Sequence, residues 1–446
     1  MIWMSNQTEL NSIMHKCSLG GICGGCFYCD CSYGEQLQQK DERVRNLLQQ
    51  AAAPVESYKE QPWTYEGILP SPMIFGYRNK MEYSFGDSSK DGPLTLGLHR
   101  KRSFYDVIDT DCCHLVHEDC NLIVKAAADY FRKLGLTYTD KRTHLGYLRY
   151  LVIRRAVNTG EMLADLVTTS QPLIPVSKHS EISSLSLYDR EAFAAGKKEP
   201  AEGITALDQE TVLKEFTETL LAVSESPQFE GKISGILHTV NDALADAVRN
   251  DGTRVLYGDD HITEELLGLQ FRISPFSFFQ TNSRGAEVLY SKVREYIADE
   301  LSPDMHVYDL YSGTGTIAQM LAPCVREVTG VEIVPEAVEA ARINASANGL
   351  DNCRFLADDV LTALDGLPAP DALILDPPRD GVHPKALKKI IDYRAENMIY
   401  VSCKPESLAR DLVMLQAAGY RLIRAAAVDQ FPWTKNVEVV SLLKLL

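Results

Sequence analysis

Regular alternation of short apolar runs with amphipathic stretches, from about residue 271 onward, constrains the fold of this chain more than any other feature. Apolar residues recur with helical spacing over 284–301, 335–348, 384–394 and 405–416. Prolines open the last three stretches, at a helical position where a missing N–H costs nothing. The alternation predicts an α/β domain with a doubly wound sheet over 271–446.

A glycine-rich turn follows the first predicted strand of this domain. The strand beginning at His306 runs into Tyr311-Ser-Gly313-Thr-Gly315-Thr, and the next strand ends at Glu332. Glycines let the backbone approach a ligand closely, and a carboxylate at the second strand tip can hold ribose hydroxyls. The turn lacks the third glycine of G-x-G-x-x-G, and no P-loop occurs, so S-adenosylmethionine fits better than a nicotinamide cofactor.

Two further predicted strands end on a carboxylate and a thiol. The run 372–375 is followed by Asp376-Pro-Pro-Arg379, and the run 398–401 is followed by Ser-Cys403-Lys-Pro. In an open α/β sheet, residues just past the carboxyl ends of strands line the ligand crevice. A carboxylate can accept a hydrogen bond from a ring N–H, and a thiolate can attack an electron-poor carbon. The pair predicts covalent chemistry on a flat heterocycle.

With these residues in order, the chain resembles the RNA uracil-5-methyltransferase family, in the iron–sulfur branch that makes 5-methyluridine in 23S ribosomal RNA. The resemblance runs from Cys17 to Glu438 and rests on the blocks 77–80 (YRNK), 277–282 (SFFQTN), 309–316, 376–379 (DPPR), 402–405 (SCKP) and 429–438. Two positions depart from the family pattern. Lys404 stands where asparagine is usual, and Asn436 stands where histidine is common. We expect Lys404 to lower the pKa of the neighbouring thiol.

The resemblance implies catalytic roles for three residues. Cys403 would add to carbon 6 of the uracil, Glu438 would remove the carbon-5 proton, and Asp376 would hydrogen-bond the uracil edge. A cysteine after a strand is more often packing than a nucleophile, and the Ser-Cys-Lys-Pro context reverses that expectation. The residues implied for S-adenosylmethionine are Gln280, Tyr311, Glu332, Asp376 and Asp359, the last preferred by position over Asp358.

Cysteines near the amino terminus form a second motif. Cys17, Cys23 and Cys26, with two glycines between the last two, can bring three thiolates together, and a cluster needs a fourth. Cys112 and Cys113 are both candidates. The family resemblance selects Cys113 and implies a 4Fe–4S cluster. Structural zinc and a metal-free loop are alternatives, although zinc sites usually pair two separate C-x-x-C knuckles, and here Cys29 and Cys31 only extend the first one.

Charge bounds the partners of this chain. A net charge of −16 argues against broad, non-specific nucleic-acid binding. Lys and Arg nevertheless outnumber Asp and Glu between residues 71 and 155. The predicted phosphate contacts are Arg78, Lys80, Arg100, Lys101, Arg102, Arg149, Arg154 and Arg155, and the predicted base-stacking side chains are Tyr77, Tyr83 and Phe85.

Three domains are predicted. Residues 1–50 hold the cysteine loop and a helix over 34–52, and 51–270 form a central α+β RNA-binding domain with a surface insertion near 171–231. Residues 271–446 form the methyltransferase domain. Without a signal peptide or a membrane-spanning run, we expect a cytoplasmic monomer whose partner is RNA and not a membrane.

The function expected from these motifs is methylation of carbon 5 of a uridine in 23S ribosomal RNA, through a covalent cysteine–uracil intermediate. The T-loop uridine of transfer RNA is the alternative within the family. A non-catalytic RNA-binding iron–sulfur protein is the alternative from another class. A cytosine-5 methyltransferase is disfavoured by Gln280 and Glu438. Some relatives carry a β-barrel RNA-binding module ahead of the cysteine motif. Only 16 residues precede Cys17, so we expect RNA to be held by the central domain, the cysteine loop or the insertion.

Overall fold

In a computed structural model of the chain, the described residues are 11–53, 62–175, 206–298, 300 and 302–446. Within them the helices are α1 (Tyr33–Ala52), α2 (Glu118–Leu134), α3 (Gln209–Ser224), α4 (Ser283–Ala298), α5 (Thr316–Leu321), α6 (Pro335–Ala347), α7 (Val360–Ala363), α8 (Pro384–Asp392) and α9 (Pro405–Ala417). The strands of the first half are β1 (Thr64–Leu69), β2 (Lys80–Asp87), β3 (Leu94–His99), β4 (Val107–Asp109), β5 (Leu148–Arg155), β6 (Glu161–Thr168), β7 (Lys232–Val240) and β8 (Gly252–Gly258). The remaining strands are β9 (Ile262–Leu266), β10 (Leu269–Ile273), β11 (His306–Leu310), β12 (Glu327–Glu332), β13 (Cys353–Ala357), β14 (Ala372–Leu375), β15 (Asn397–Ser402), β16 (Tyr420–Val428) and β17 (Glu438–Leu445).

An eight-stranded sheet contains the predicted doubly wound arrangement. Its order is β1-β16-β17-β15-β14-β11-β12-β13, and β17 alone runs antiparallel to its neighbours in this sheet. One face packs against α4, α5 and α6, and the other packs against α1, α8 and α9. Burial on both faces explains why the central strands read as continuous apolar runs in the sequence. The predicted α/β class is confirmed.

A second, seven-stranded sheet occupies most of the predicted central domain. Its order is β4-β3-β2-β5-β6-β7-β8, with only β6 and β7 pairing in parallel. Helices α2 and α3 cover one face, where the rings of Phe131 and Phe216 stack with centroids 5.4 Å apart. Strand β1 falls in the range predicted for this domain, yet it pairs with β16 in the larger sheet.

Two sequence blocks of the resemblance meet at the junction between the sheets. The Asn79 side chain donates hydrogen bonds to the Gln280 carbonyl and to Ser283 Oγ, both at 2.9 Å. Its backbone N–H donates to the Thr281 carbonyl at 2.8 Å. The buried guanidinium of Arg154 donates to the carbonyls of Pro275, at 3.1 Å, and Ser277. Buried polar groups are stable only when they are paired, so these bonds fix how the two sheets meet.

Several predicted RNA contacts are wrong. Tyr77, Tyr83 and Phe85 are buried, which leaves no ring face open for a base. Arg154 and Arg149 are also buried, and Arg149 donates to backbone carbonyls of the segment 241–245. Alternation along a strand shows that its two faces differ in polarity. It does not show whether the face that carries these side chains is covered by helices or by the other sheet.

Helix α1 joins the amino-terminal segment to the end of the larger sheet. Ser32 and Glu35 form a capping box that starts the helix. Lys40, on its buried side, donates to Asp429 at 2.6 Å in an ion pair with both side chains fully buried. Lys40 also donates to the Phe431 carbonyl at 3.0 Å. A buried pair of this kind costs desolvation and requires good geometry, so it fixes the position of α1 on the sheet.

The predicted surface insertion is seen in part. Its Ser-, Glu- and Lys-rich stretch near 178–210 lies largely outside the described residues. Helix α3 lies near the end of the predicted insertion and is not a surface addition. Its side chains Val212, Leu213, Phe216 and Leu220 are buried in the core of the central domain. Among the residues described, no helix is both long and apolar enough to cross a bilayer.

Candidate active site

Strand register brings the predicted catalytic residues to one edge of the larger sheet. Ser402 on β15 pairs with Val439 on antiparallel β17, so Cys403 and Glu438 lie one position beyond that pair. On the other side, Leu375 on β14 pairs with Leu310 on β11, which sets Asp376 beside Tyr311. Cys403, Glu438, Asp376 and Tyr311 all line one cleft of ≈ 1270 Å³. The crevice therefore forms where parallel strands end, as predicted.

The glycine-rich turn forms the floor of this cleft. Gly313 and Gly315 have φ angles of 52° and 72°, and Tyr311 has a φ of 66°, all in the left-handed region. Such a φ is readily adopted by glycine and strained for tyrosine. The Glu332 carboxylate accepts hydrogen bonds from the N–H groups of Gly313, at 3.0 Å, and Val334, at 2.9 Å. The turn thereby holds the carboxylate at the cleft wall.

Burial controls the ionisation of the catalytic candidates. Loss of hydration raises the pKa of Asp376 to about 7. Burial, followed by repulsion from Asp376, raises the pKa of Glu438 to about 8, against the opposing effect of Arg379. Burial and then these two carboxyls raise the pKa of Cys403 to about 11. The expectation that Lys404 lowers the thiol pKa is therefore wrong, because Lys404 is exposed and Arg379 is the cation that opposes the rise.

Further lining residues had no role in the sequence prediction. Asp309 is fully buried, and one of its oxygens accepts from the Ala318 N–H at 2.9 Å. Burial and then Asp376 raise its pKa to about 8. The sequence signal available for Asp309 was a carboxylate within an apolar run.

Two exposed apolar residues also line the cleft. They are Ile333 and Phe278, which are 61% and 67% exposed. They provide an open apolar wall of the kind that ligand clefts use.

The residues predicted to hold a cofactor are only partly brought together. Gln280, Tyr311, Glu332 and Asp376 line the cleft. Among the described residues that line the cleft, neither Asp359 nor Asp358 is present. Asp359 is exposed and accepts from the Leu361 N–H at 2.7 Å, which caps α7. Its role in cofactor binding stays a prediction.

The segment before Glu438 is held in place by the amino-terminal elements. Trp433 is fully buried with a φ of 68°, and its indole N–H donates to the Ile74 carbonyl at 2.7 Å. Its carbonyl accepts from the N–H groups of Phe27, at 2.8 Å, and Tyr28, at 3.1 Å. Its own N–H donates to the side chain of Gln36 at 2.8 Å. The cysteine loop, α1 and the Glu438 segment therefore form one packed unit.

The amino-terminal cysteines surround a second cavity of ≈ 490 Å³. It is lined by Cys17, Cys23, Cys26, Cys29 and Cys113, but not by Cys112. The Gly25 N–H donates to Cys23 Sγ at 3.3 Å. Within the part of the chain described, no three His, Cys, Asp or Glu side chains converge closely enough to hold a single metal ion. In a cluster each thiolate binds its own iron, so wider thiol spacing is compatible with that larger group.

Comparison with known proteins gives the family. A profile described as tRNA (uracil-5-)-methyltransferase matches residues 241–445. An uncharacterized RNA methyltransferase of Clostridium acetobutylicum is 43% identical over 430 residues, spanning 96% of this chain and 83% of that protein. The chain belongs to the RNA uracil-5-methyltransferase family. A second RNA methyltransferase, from Caldanaerobacter subterraneus, is 43% identical over 429 residues, 96% of this chain and 84% of that protein.

The family also has a solved structure with the same architecture. The Pyrococcus abyssi tRNA (uracil-54, C5)-methyltransferase, in complex with S-adenosyl-L-homocysteine, superposes with a TM-score of 0.68 at 25% identity. The match covers 95% of this chain and 86% of that chain. As a member of the uracil-5-methyltransferase family, this protein is an S-adenosylmethionine-dependent RNA methyltransferase with a Rossmann-like catalytic domain. The predicted family and enzyme class are confirmed.

Proposed function

We propose that this enzyme methylates carbon 5 of a uridine in ribosomal RNA, with Cys403 as nucleophile, Glu438 as general base and Asp376 as the group that holds the uracil. The observation that carries the proposal is the register between β15 and β17. It brings Cys403 next to the buried Glu438 in a cleft that Asp376 also lines. Uracil carbon 5 is a weak nucleophile, and covalent addition at carbon 6 replaces one difficult step with easier ones.

The proposed steps conserve atoms and electrons. The Cys403 thiolate bonds to carbon 6 through Sγ, and the electrons of the 5,6 double bond move to carbon 5. Carbon 5 would then bond to the methyl group as the bond between that methyl and the sulfonium sulfur breaks, with its electron pair left on the sulfur of the departing S-adenosylhomocysteine. Glu438 then takes the proton from carbon 5. The electrons of that C–H bond re-form the double bond as the carbon–sulfur bond breaks. A nearby positive charge favours the attacking thiolate, and Arg379 supplies one from the chain.

Glu438 suits the role of base because its pKa is raised to about 8. A base is most effective when its pKa lies near the working pH. Asp376, half-buried at its strand end, can accept a hydrogen bond from the uracil N–H when it is ionised.

S-adenosylmethionine, when bound, supplies a methyl group carried by a positively charged sulfonium. We propose that Glu332 holds the ribose hydroxyls, because its carboxylate is already oriented by two backbone N–H groups. Gln280 and Tyr311 line the same cleft and complete the proposed binding set with Asp376. Ile333, largely exposed beside Glu332, offers an apolar surface for the adenine ring.

We further propose that Cys17, Cys23, Cys26 and Cys113 hold a 4Fe–4S cluster. All four line one cavity, and the N–H donor to Cys23 Sγ is the kind of hydrogen bond that stabilises a cluster thiolate. The cluster would keep the loop folded against Trp433. Iron and sulfide analysis of anaerobically purified protein tests this. Cys113→Ala should lose the cluster and Cys112→Ala should keep it, and equal iron in both variants overturns the assignment. Cys29→Ala tests the one further thiol that lines the cavity.

Ribosomal RNA is the preferred substrate because the cysteine motif is a mark of that branch of the family. Transfer RNA is the second candidate, because the Pyrococcus abyssi relative is named as a tRNA (uracil-54, C5)-methyltransferase. Radiolabelled S-adenosylmethionine, unmodified ribosomal and transfer RNA, and nucleoside analysis separate the two. Labelled 5-methyluridine in one RNA identifies the substrate. Incorporation into neither overturns the proposed function.

The nucleophile is tested with RNA that contains 5-fluorouridine. Fluorine at carbon 5 cannot leave as a proton, so the covalent complex should persist on a denaturing gel. Cys403→Ala should abolish both the complex and methyl transfer. Cys324→Ala is the matched control, since that thiol is exposed and lies outside the cleft. A persistent complex in Cys403→Ala would exclude this thiol as the nucleophile.

A further inference from the structure

The loop between β3 and β4, residues 100–106, presents two adjacent aromatic side chains to solvent. Phe104 is 60% exposed and Tyr105 is 57% exposed. Their rings meet edge to face, with centroids 5.4 Å apart. A single exposed aromatic residue is ordinary, but two neighbouring rings outside the buried cores form a surface on which flat groups can stack.

Cations surround these rings. Lys141 Nζ lies 4.2 Å from the centre of the Phe104 ring, and Arg142 Cζ lies 5.7 Å from the centre of the Tyr105 ring. Lys101 and Arg102 are exposed in the same loop. Cations beside aromatic rings are the combination that binds phosphates and bases together.

Acidic neighbours offset only some of this charge. Asp106 lies 3.7 Å from Arg100, Asp246 pairs with Lys141 at 2.7 Å, and Asp140 lies 3.4 Å from Arg142. For Lys101 and Arg102, the described residues provide no paired carboxylate. The loop is therefore a positive region on a protein whose net charge is −16. A local positive region of this kind attracts a polyanion, while the rest of the acidic surface does not bind one non-specifically.

The loop is ordered by its own hydrogen bonds. Ser103 Oγ accepts from the N–H groups of Tyr105, at 3.3 Å, and Asp106, at 3.1 Å. Lys141 donates to the Phe104 carbonyl at 2.9 Å, and the His99 ring lies nearly parallel to that of Phe104, with an interplanar angle of 4°. A surface that is already ordered loses little entropy when a ligand binds.

This surface continues toward the active site through the cysteine loop. The Gly24 N–H donates to the His99 carbonyl at 3.0 Å, and the Lys101 N–H donates to the Ile22 carbonyl at 2.7 Å. Farther along, Phe27 is 46% exposed, and Lys435 Nζ lies 3.9 Å from its ring centre. Lys435 belongs to the segment that ends at Glu438, so these contacts link loop 100–106, through the cysteine loop, to the segment that carries Glu438.

We propose that Phe104 and Tyr105, with Lys101 and Arg102, form a platform that binds single-stranded RNA flanking the target uridine. Every base has a face that can stack, and the cations neutralise the phosphates between successive bases. This inference rests on the proposed function, because it assigns the grip on the same RNA substrate. The platform replaces Tyr77, Tyr83 and Phe85, whose burial excludes them from stacking.

Fluorescence anisotropy with labelled oligouridine tests the platform. Stacking on aromatic side chains typically contributes enough per base that Phe104→Ala/Tyr105→Ala should lower single-strand affinity by about tenfold or more. The same strand paired with oligoadenosine should lose far less affinity, because its bases are already stacked. Tyr257→Ala is the matched control, since Tyr257 is 42% exposed on β8, outside this surface.

The cations are tested separately by salt dependence. Each phosphate contact on a single strand contributes about 0.7 to the slope of log affinity against log salt concentration. Lys101→Ala/Arg102→Ala should therefore reduce the magnitude of that slope by about 1.4. Binding of S-adenosylhomocysteine, measured by calorimetry, should be unchanged in both double variants and shows that each is folded.

The outcomes separate the platform from the proposed function. Unchanged oligouridine affinity in Phe104→Ala/Tyr105→Ala overturns the platform, even if the enzyme methylates uridine. An equal loss in Tyr257→Ala overturns it as well. A further outcome is a wild-type enzyme that methylates neither RNA, while Phe104→Ala/Tyr105→Ala loses oligouridine binding and Tyr257→Ala keeps it. In that case the proposed function fails and the platform stands.

Discussion

At the scale of single residues, Glu438 combines deep burial with the proton-accepting role proposed above. It is 2% exposed, and burial with repulsion from Asp376 raises its pKa to about 8. In the unfolded chain a glutamate titrates near 4.3. As pH rises between these values, the unfolded state loses a proton that the folded state keeps. Protonated Glu438 therefore contributes its full stabilisation below about pH 4.3. That contribution is lost as the pH rises to about 8.

Glu438→Gln should therefore stabilise the protein increasingly as pH rises. The difference in unfolding free energy between variant and wild type should grow from pH 5 to pH 8 and then level off. One pKa unit corresponds to about 1.4 kcal/mol, which sets an upper limit of about 5 kcal/mol. Urea unfolding at pH 5, 7 and 9 measures it. Glu339→Gln, at an exposed site, is the control. A difference that stays constant with pH would contradict the raised pKa.

Residues that line the cleft were predictable where the chain marks them with a breaker. Asp376 and Cys403 each stand between a strand and a proline, and both line the cleft. Asp309 and Ile333 carry no such mark, because their positions become special only when neighbouring strands are assembled. Asp359 follows a strand as well but does not line the cleft. Its place after a strand predicts ligand binding, and the contact that the structure shows is the cap of α7.

At the scale of elements, the turn between β11 and α5 depends on close packing as well as on backbone freedom. A Cβ at Gly315 would lie 2.5 Å from Phe355 Cε1, and the residue has a φ of 72°. Gly349, after α6, has a φ of 66° but would meet nothing within 4 Å. The two glycines therefore separate steric clash from conformational strain.

Gly315→Ala should destabilise the protein more than Gly349→Ala does. We expect about 1 kcal/mol for Gly349→Ala, from backbone strain alone. Gly315→Ala should cost several kcal/mol and weaken S-adenosylhomocysteine binding by tenfold or more, because the turn must shift to relieve the clash. Thermal unfolding and calorimetric titration measure the two effects. Equal destabilisation by the two changes would show that contact with Phe355 is unimportant.

Helix α1 is held to the sheet by a charge that has no access to water. Lys40→Met removes the partner of the fully buried Asp429 and should cost about 3–5 kcal/mol. Lys40→Met/Asp429→Leu removes both charges and should recover much of that loss. Urea unfolding of the two single variants and the double variant gives the coupling free energy. Additive losses would mean that the ion pair does not act as a unit.

Helices were predicted to within a few residues where periodicity and a first-position proline agreed, as in α6, α8 and α9. Strand β1 was not predicted. It is an edge strand with a partly exposed pattern, and its partner β16 lies far away in sequence. A pairing between distant segments leaves no local periodic signal.

At the scale of the whole molecule, the active site depends on how two sheets meet. Asn79, at the start of the central sheet, holds the backbone of Gln280 and the side chain of Ser283, while Gln280 lines the cleft. Cofactor affinity should therefore respond to a residue outside the cleft, because the junction positions a cleft residue.

Asn79→Ala should weaken S-adenosylhomocysteine binding several-fold and lower the free energy of unfolding by about 1–3 kcal/mol, since it leaves buried groups without partners. Calorimetric titration and urea unfolding test both effects. Unchanged cofactor affinity together with the expected loss of stability would show that the junction is structural only. The sequence resemblance included both blocks of this junction, but their mutual contact could be seen only in the assembled fold.

The ion pair between Lys40 and Asp429 also orders events during synthesis of the chain. Its two residues are 389 positions apart, so Lys40 leaves the ribosome long before its carboxylate exists. Until then the ammonium is stable only in water, and α1 cannot settle into its final place. The strand that begins with Glu438 follows Asp429 within a few residues. Docking of α1 and completion of the sheet edge that carries Glu438 are therefore one late event.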